Sequence, residues 1–244
     1  PVVAIYSSFL QRGFDQIVHD VCLQNLHVVF AIDRAGLVGA DGETHQGIFD
    51  VSFLTCIPNM TLLAPKNAKE LKSALKFAID FDGPVAVRYP RGIAYDSLNE
   101  FESKIEFGKG EMLFEESDIA LFAIGSMVST AKNLREKLKS RGFNVSVANA
   151  RFFKPIDFEL VDKLCKNHKL IVTMEESVIN GSMGEKIKAY IKDRDCNTDV
   201  LNIALPDGYV EHGDVSLLRK KLEIDSDSVL KKVLDRYEKI KDEG

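Results

Sequence analysis

The chain has 244 residues, enough for one large domain or two ordinary ones, each with its own core. Hydrophobic residues make up 45% and charged residues 28%, a balance that supports packed cores and excludes wholesale disorder. A formal net charge of -5 gives no electrostatic reason to bind nucleic acid or an anionic membrane, and no apolar run approaches the roughly 20 residues that a membrane helix needs.

The sequence begins without Met and directly inside a strand-like run, Val2 to Tyr6, so it is expected to be part of a longer polypeptide. Phe14, Ile17, Val18, Val21 and Cys22 then recur at three- and four-residue spacing, which predicts a helix. His27 to Ile32 reads as the second strand, and Thr61 to Ala64 as the third. Pro65-Lys66-Asn67 introduces a helix whose apolar stripe is Leu71, Ala74, Leu75, Ala78 and Ile79; Gly83-Pro84 stops it before a fourth strand, Val85 to Val87. Strands separated by helices of this length predict a parallel sheet covered on both faces. Residues 94–117 are polar and acidic without sustained period and read as a linker.

The alternation then resumes. Strands are predicted at Ile119 to Ile124, Asn144 to Ala148, Lys169 to Met174 and Val200 to Ala204. Helices are predicted near Val128 to Ser140, near Phe158 to Lys166, after Gly184 and along the charged tail from Asp214. The fold class is therefore α/β with two doubly wound domains, the second reading as a small domain of its own. Cys22, Cys56, Cys165 and Cys196 lie far apart, with no CxxC pair and no secretory signal, as expected for reduced thiols in a cytoplasmic protein.

In open α/β sheets ligands gather beyond the carboxyl ends of the strands. Three segments put polar side chains there: Tyr6 to Arg12, Asp33 to Gln46, and Arg88-Tyr89-Pro90-Arg91-Gly92. Arginine's planar fork suits a phosphate, and His45 is the natural acid-base candidate near neutral pH. Glycines 36, 39, 42 and 47 would let backbone approach a ligand closely. Each element alone has a plainer explanation: an Asp-Gly turn, a solvated Arg pair, a core Phe9, an ordinary Gly125-Ser126 turn into a helix. His19 and His27 sit in periodic runs and read as structural. Convergence of the three segments at one sheet edge is what favours a site.

The stretches "YSSFLQRGFDQ", "FAIDRAGLVGADGETHQGIFD" and "VRYPRG", with "DIALFAIGSMV" and "EESVINGSMG" further on, resemble the 1-deoxy-D-xylulose-5-phosphate synthases, thiamine-diphosphate enzymes of the transketolase superfamily. The resemblance implies a pyrimidine-binding domain over residues 1–93, N-terminally incomplete, the linker at 94–117, and a transketolase C-terminal domain over 118–244. It implies a transferase that condenses pyruvate, with decarboxylation, and glyceraldehyde 3-phosphate, for isoprenoid precursor, thiamine and pyridoxal biosynthesis. The implied setting is a cytoplasmic homodimer with no nucleic-acid or membrane partner. Phe9 would stack on the aminopyrimidine, with Tyr6 and Arg12 nearby, Arg34 and Arg91 would clamp the acceptor phosphate, and Asp41 and His45 would assist proton transfer.

The sequence departs from the family pattern in two places. The GDG-type motif that holds the diphosphate through magnesium is missing, and so is the glutamate that protonates the aminopyrimidine. The Mg2+ ligands are expected in an absent N-terminal domain, and the chain alone is expected to be inactive. Alternatives in the same fold are a transketolase or a 2-oxo acid dehydrogenase beta-like subunit; outside enzymes, a non-catalytic assembly module is the rival.

Overall fold

The computed structural model describes residues 1–194 and 196–242. In chain order the first half gives strands β1 (Val2–Tyr6), β2 (Val29–Asp33), β3 (Thr61–Leu63) and β4 (Val85–Arg88). The second half gives β5 (Glu111–Phe114), β6 (Asp118–Ala123), β7 (Val145–Asn149), β8 (Phe152–Lys154), β9 (His168–Val178) and β10 (Asp199–Leu205). The helices are α1 (Ser7–Leu10), α2 (Phe14–Gln16), α3 (Asp50–Thr55), α4 (Ala68–Asp80), α5 (Met127–Lys139), α6 (Phe158–Asn167), α7 (Met183–Lys192), α8 (Val215–Lys221) and α9 (Ser226–Asp242). A 3-10 turn, Gln11–Gly13, joins α1 to α2, and a π turn, Ile17–Cys22, carries the chain out of α2.

The strands form two sheets, ordered β1-β2-β4-β3-β8 and β10-β9-β6-β7-β5. All pairings are parallel except β8 on β3 and β5 on β7, so the α/β reading with mainly parallel sheets holds. The central strands β2, β4 and β6 are apolar and buried along nearly their whole length because both faces are covered. In β2, Phe30 and Ile32 point into the layer between the sheets while Val29 packs under α4; in β6, Ala120 and Phe122 share that inner layer and Ile119 and Leu121 face α5. The inner cluster thus takes side chains from both halves, from Leu62 to Ile171 and Met183.

Three features differ from the sequence reading. β5 lies within the segment read as a linker, where Leu98 and Ile105 are also buried. β9 runs on to Val178, past the expected end at Met174. β8 leaves the second half and closes the first sheet, pairing Leu62 with Lys154 and Leu63 with Phe152. A buried ionic network reinforces this union. Glu70, near the start of α4, accepts hydrogen bonds from Arg151 Nε at 2.8 Å and Asn149 Nδ2 at 3.0 Å, and from its own side Lys66 Nζ reaches it at 3.2 Å. Asn67 caps α4 by accepting the Glu70 amide at 2.8 Å.

Candidate active site

Because β1, β2 and β4 are parallel and paired Tyr6 to Asp33 and Ile32 to Arg88, their carboxyl ends reach the same edge. There the chain leaves β2 through Arg34, whose φ of 55° is left-handed and rare for a residue with a Cβ. That turn lays the Arg34 guanidinium over the Tyr6 ring, 4.1 Å from its centroid.

Arg34 Nη1 donates to one oxygen of Asp41, and Arg91 Nη1 stands 2.9 Å from the other. A single carboxylate therefore fixes both guanidinium groups. Arg34 and Arg91 line a cavity of about 600 Å3, whose wall Asp41 does not join. The wall carries four cationic side chains (Arg34, Lys66, Arg91, Arg219) against two acidic ones (Asp33, Glu176). Each of these cations is ion-paired, Arg34 and Arg91 with Asp41, Arg219 with Glu176, and Lys66 with Glu70 and Glu111, so what the wall offers an anion is the guanidinium N–H donors not spent on those partners. Tyr89 adds a phenol to the wall, and burial first, then the Asp33 carboxylate, pushes its pKa above the ordinary value and keeps it a neutral donor.

Next to the guanidinium pair runs a row of rings. Tyr6 and Phe9 have centroids 5.2 Å apart, and Phe9 meets His45 edge-on at 5.4 Å. Phe9 is 49% exposed, an uncovered aromatic face beside the hydroxyls of Ser7 and Ser8, which are buried without a partner. An aromatic ring with polar substituents fits that face, as the pyrimidine end of thiamine diphosphate requires. Arg12 is exposed on the 3-10 turn and forms no hydrogen bond or ion pair with a described residue. His45 Nδ1 shares a hydrogen bond of 2.9 Å with Thr44 Oγ1; Nε2 has no partner among the described residues. His45 is not in the cavity wall itself; it is joined to Arg34 through Phe9 and Tyr6. No three His, Cys, Asp or Glu side chains among the described residues converge as metal ligands.

Several expectations need correction. Arg88 turns inward, not to the cavity: it is bidentate on the fully buried Asp50, at 2.9 and 3.1 Å, beneath the loop. The loop glycines approach other parts of the protein rather than open space. A Cβ at position 47 would lie 2.0 Å from the Arg34 carbonyl oxygen, and one at 36 would lie 2.6 Å from Glu176 Oε1. Ser126, at the Gly125-Ser126 turn, spends its hydroxyl on Glu176 at 3.2 Å. His19 is exposed and its ring bonds its helical neighbour Asp15, whereas the ring of His27 does tie to the Ala78 carbonyl at 3.2 Å. Sequence reasoning also passed over Glu176 and Arg219, which meet across the cavity wall with Nε to Oε2 at 3.0 Å. The signal was two adjacent glutamates closing an apolar strand, where an unpaired charge would be costly.

Residues 1–95 match the family model for the transketolase pyrimidine binding domain, and residues 108–229 that for the transketolase C-terminal domain. A protein of Lachnoclostridium phytofermentans named 1-deoxy-D-xylulose-5-phosphate synthase is 50% identical over 96% of this chain and 37% of its own length. One of the same name from Caldanaerobacter subterraneus is 47% identical over 99% of this chain and 39% of its own length. The chain thus spans under two-fifths of these curated relatives. Among solved structures, one titled "Split gene transketolase, inactive beta4 tetramer" superposes with a TM-score of 0.86 at 25% identity, covering 96% of this chain and 75% of that one. A Campylobacter jejuni transketolase, 20% identical, shares the fold with a TM-score of 0.75 over 96% of this chain and 35% of its own.

Proposed function

This chain belongs to the transketolase family, and on that premise we propose that it forms the acceptor-substrate wall of a thiamine-diphosphate-dependent carboligase. The reaction joins pyruvate, with loss of carbon dioxide, to glyceraldehyde 3-phosphate and yields 1-deoxy-D-xylulose 5-phosphate. The observation that carries the reading is the pair of guanidinium groups held on one carboxylate and lining one cavity.

When bound, thiamine diphosphate supplies a thiazolium that stabilises the carbanion left by decarboxylation. The chain's own residues do the rest. Phe9, tilted against Tyr6, stacks on the aminopyrimidine, and Arg12 faces the same ligand from the adjoining turn. Arg34 and Arg91 bind the acceptor phosphate through paired N–H donors. Asp41 fixes both forks before the substrate arrives, so little side-chain order is lost on binding. His45 hands a proton to the acceptor's carbonyl oxygen as it becomes a hydroxyl. The wider reading is a cytoplasmic homodimer in which residues outside this chain hold magnesium and the diphosphate, so the isolated chain is inactive. Tight magnesium-dependent binding of thiamine diphosphate to this chain alone, seen by calorimetry, would overturn that last part.

The test is steady-state kinetics of Arg34→Ala and Arg91→Ala in the intact enzyme. Each variant loses charge-assisted hydrogen bonds of about 1.5–3 kcal/mol, so KM for glyceraldehyde 3-phosphate rises roughly 10- to 100-fold. KM for pyruvate stays within about twofold of the parent. Equal effects on both substrates would refute the clamp.

A further inference from the structure

The loop that carries Arg34, Asp41 and His45 is pinched at its neck, where Gly36 and Gly47 exchange hydrogen bonds of 2.6 and 2.8 Å. Above that neck its main-chain anchors come from the second half of the chain. Glu176 Oε1 accepts the Leu37 amide at 2.8 Å, and the Gly213 amide donates to the Gly39 carbonyl at 3.3 Å. Gln46 accepts the Val38 amide at 2.8 Å and donates to the Glu211 carbonyl at 3.0 Å.

Glu176 is the centre of this arrangement. It lies at the end of β9, is 3% exposed, and has both carboxylate oxygens engaged. While Oε1 holds the loop, Oε2 accepts from Ser126 Oγ and from Arg219. Arg219 lies on the cavity wall contributed by the second half, Arg34 and Arg91 on that of the first. One buried carboxylate thus joins the two walls. Neutralising it leaves several buried donors competing for a weaker acceptor.

We propose that Glu176 is a positioning residue for the acceptor site: by gripping the Leu37 amide and Arg219 together, it sets where the Arg34–Asp41 loop stands relative to the opposite wall. The second half then governs acceptor affinity through a residue whose polar atoms are all committed to protein. This rests on the phosphate-clamp reading above for its kinetic consequence, but not for its structural one.

Two measurements on the intact enzyme test it. In Glu176→Gln, amide hydrogen exchange of peptides covering 35–47 accelerates at least tenfold, while peptides of β6 and β7 keep the parent rate. In the same variant KM for glyceraldehyde 3-phosphate rises at least tenfold and KM for pyruvate changes less than twofold. If Glu176→Gln fails to fold, Ser126→Ala removes one of the donors on Oε2 and is expected to speed exchange across 35–47 two- to fivefold. Parent-like exchange of 35–47 in a folded variant overturns the proposal, as does an equal rise of both KM values. The exchange arm involves no substrate: if Arg34→Ala leaves acceptor binding untouched, the clamp falls, while exchange still decides the role of Glu176.

Discussion

Arg88 and Asp50 offer the sharpest test of how this fold is held together. Arg88 is 6% exposed at the end of β4, and Asp50 is fully buried at the first turn of α3. The guanidinium donates to both Asp50 oxygens at 2.9 and 3.1 Å, to the Gly47 carbonyl at 3.2 Å and to the Glu176 carbonyl at 3.4 Å. Its carbon also sits 5.3 Å from the Phe153 ring centroid. Arg88→Ala strands a carboxylate with no access to water, and Asp50→Ala strands a guanidinium. Each is expected to cost about 3–5 kcal/mol, a large share of the roughly 5–15 kcal/mol of a whole domain. The double variant Arg88→Met/Asp50→Leu leaves neither charge behind, so its loss should be only about 1–2 kcal/mol. Urea unfolding of the four proteins, extrapolated linearly to water, closes the cycle. The reasoning fails if the double variant loses as much as the two single ones together, or if either single loss is below about 1 kcal/mol.

Two further outcomes follow from the side-chain environments. The Lys139 ammonium at 2.8 Å, then the Val145 amide and the Arg135 guanidinium, hold the Glu116 carboxyl at about 2 against an ordinary 4.5. A depressed folded value stabilises above the ordinary one and is lost as pH falls from about 4.5 towards 2. Glu116→Gln should therefore cost about 1–2 kcal/mol at pH 7, allowing for screening, and the deficit should shrink steadily towards pH 3 in thermal melts; a pH-independent deficit would contradict it. Burial pushes the Cys165 thiol up to about 12 and that of Cys22 up to about 11, whereas Cys56 is exposed. Iodoacetamide at pH 8 should label Cys56 well before either, as read by peptide mass spectrometry, and labelling of Cys165 at the Cys56 rate would be the contrary result.

Much of the fold could be read directly from residue patterns. The apolar runs of β2, β4 and β6 announce strands buried on both faces, and the Asn67 cap and stripe of α4 announce a helix. β5 and β8 were not visible because each is only three or four residues long and takes its stability from a partner strand, not from its own pattern. At the site, the three converging segments were legible, since parallel strands must deliver their ends to one edge. Which arginine faces the cavity was not. Arg88 and Arg91 have the same side chain three positions apart, and only the buried Asp50 decides that Arg88 points inward. Glycines 36, 39 and 42 were illegible for a related reason, as was the hold of Glu176 on the loop: the residues they meet, Glu176, Gly213 and His212 for the glycines and Leu37 for Glu176, lie more than a hundred residues away along the chain.

The loan of β8 to the first sheet has a consequence for how the protein is made. As the polypeptide leaves the ribosome, β3 stands at the border of its sheet with a free row of amides and carbonyls until Phe152 to Lys154 have emerged. For that interval the nascent molecule carries an open template for strand pairing, and only synthesis of the later half can cover it. The first half is accordingly bound to the second at birth: its sheet stays unfinished until the later strand has arrived.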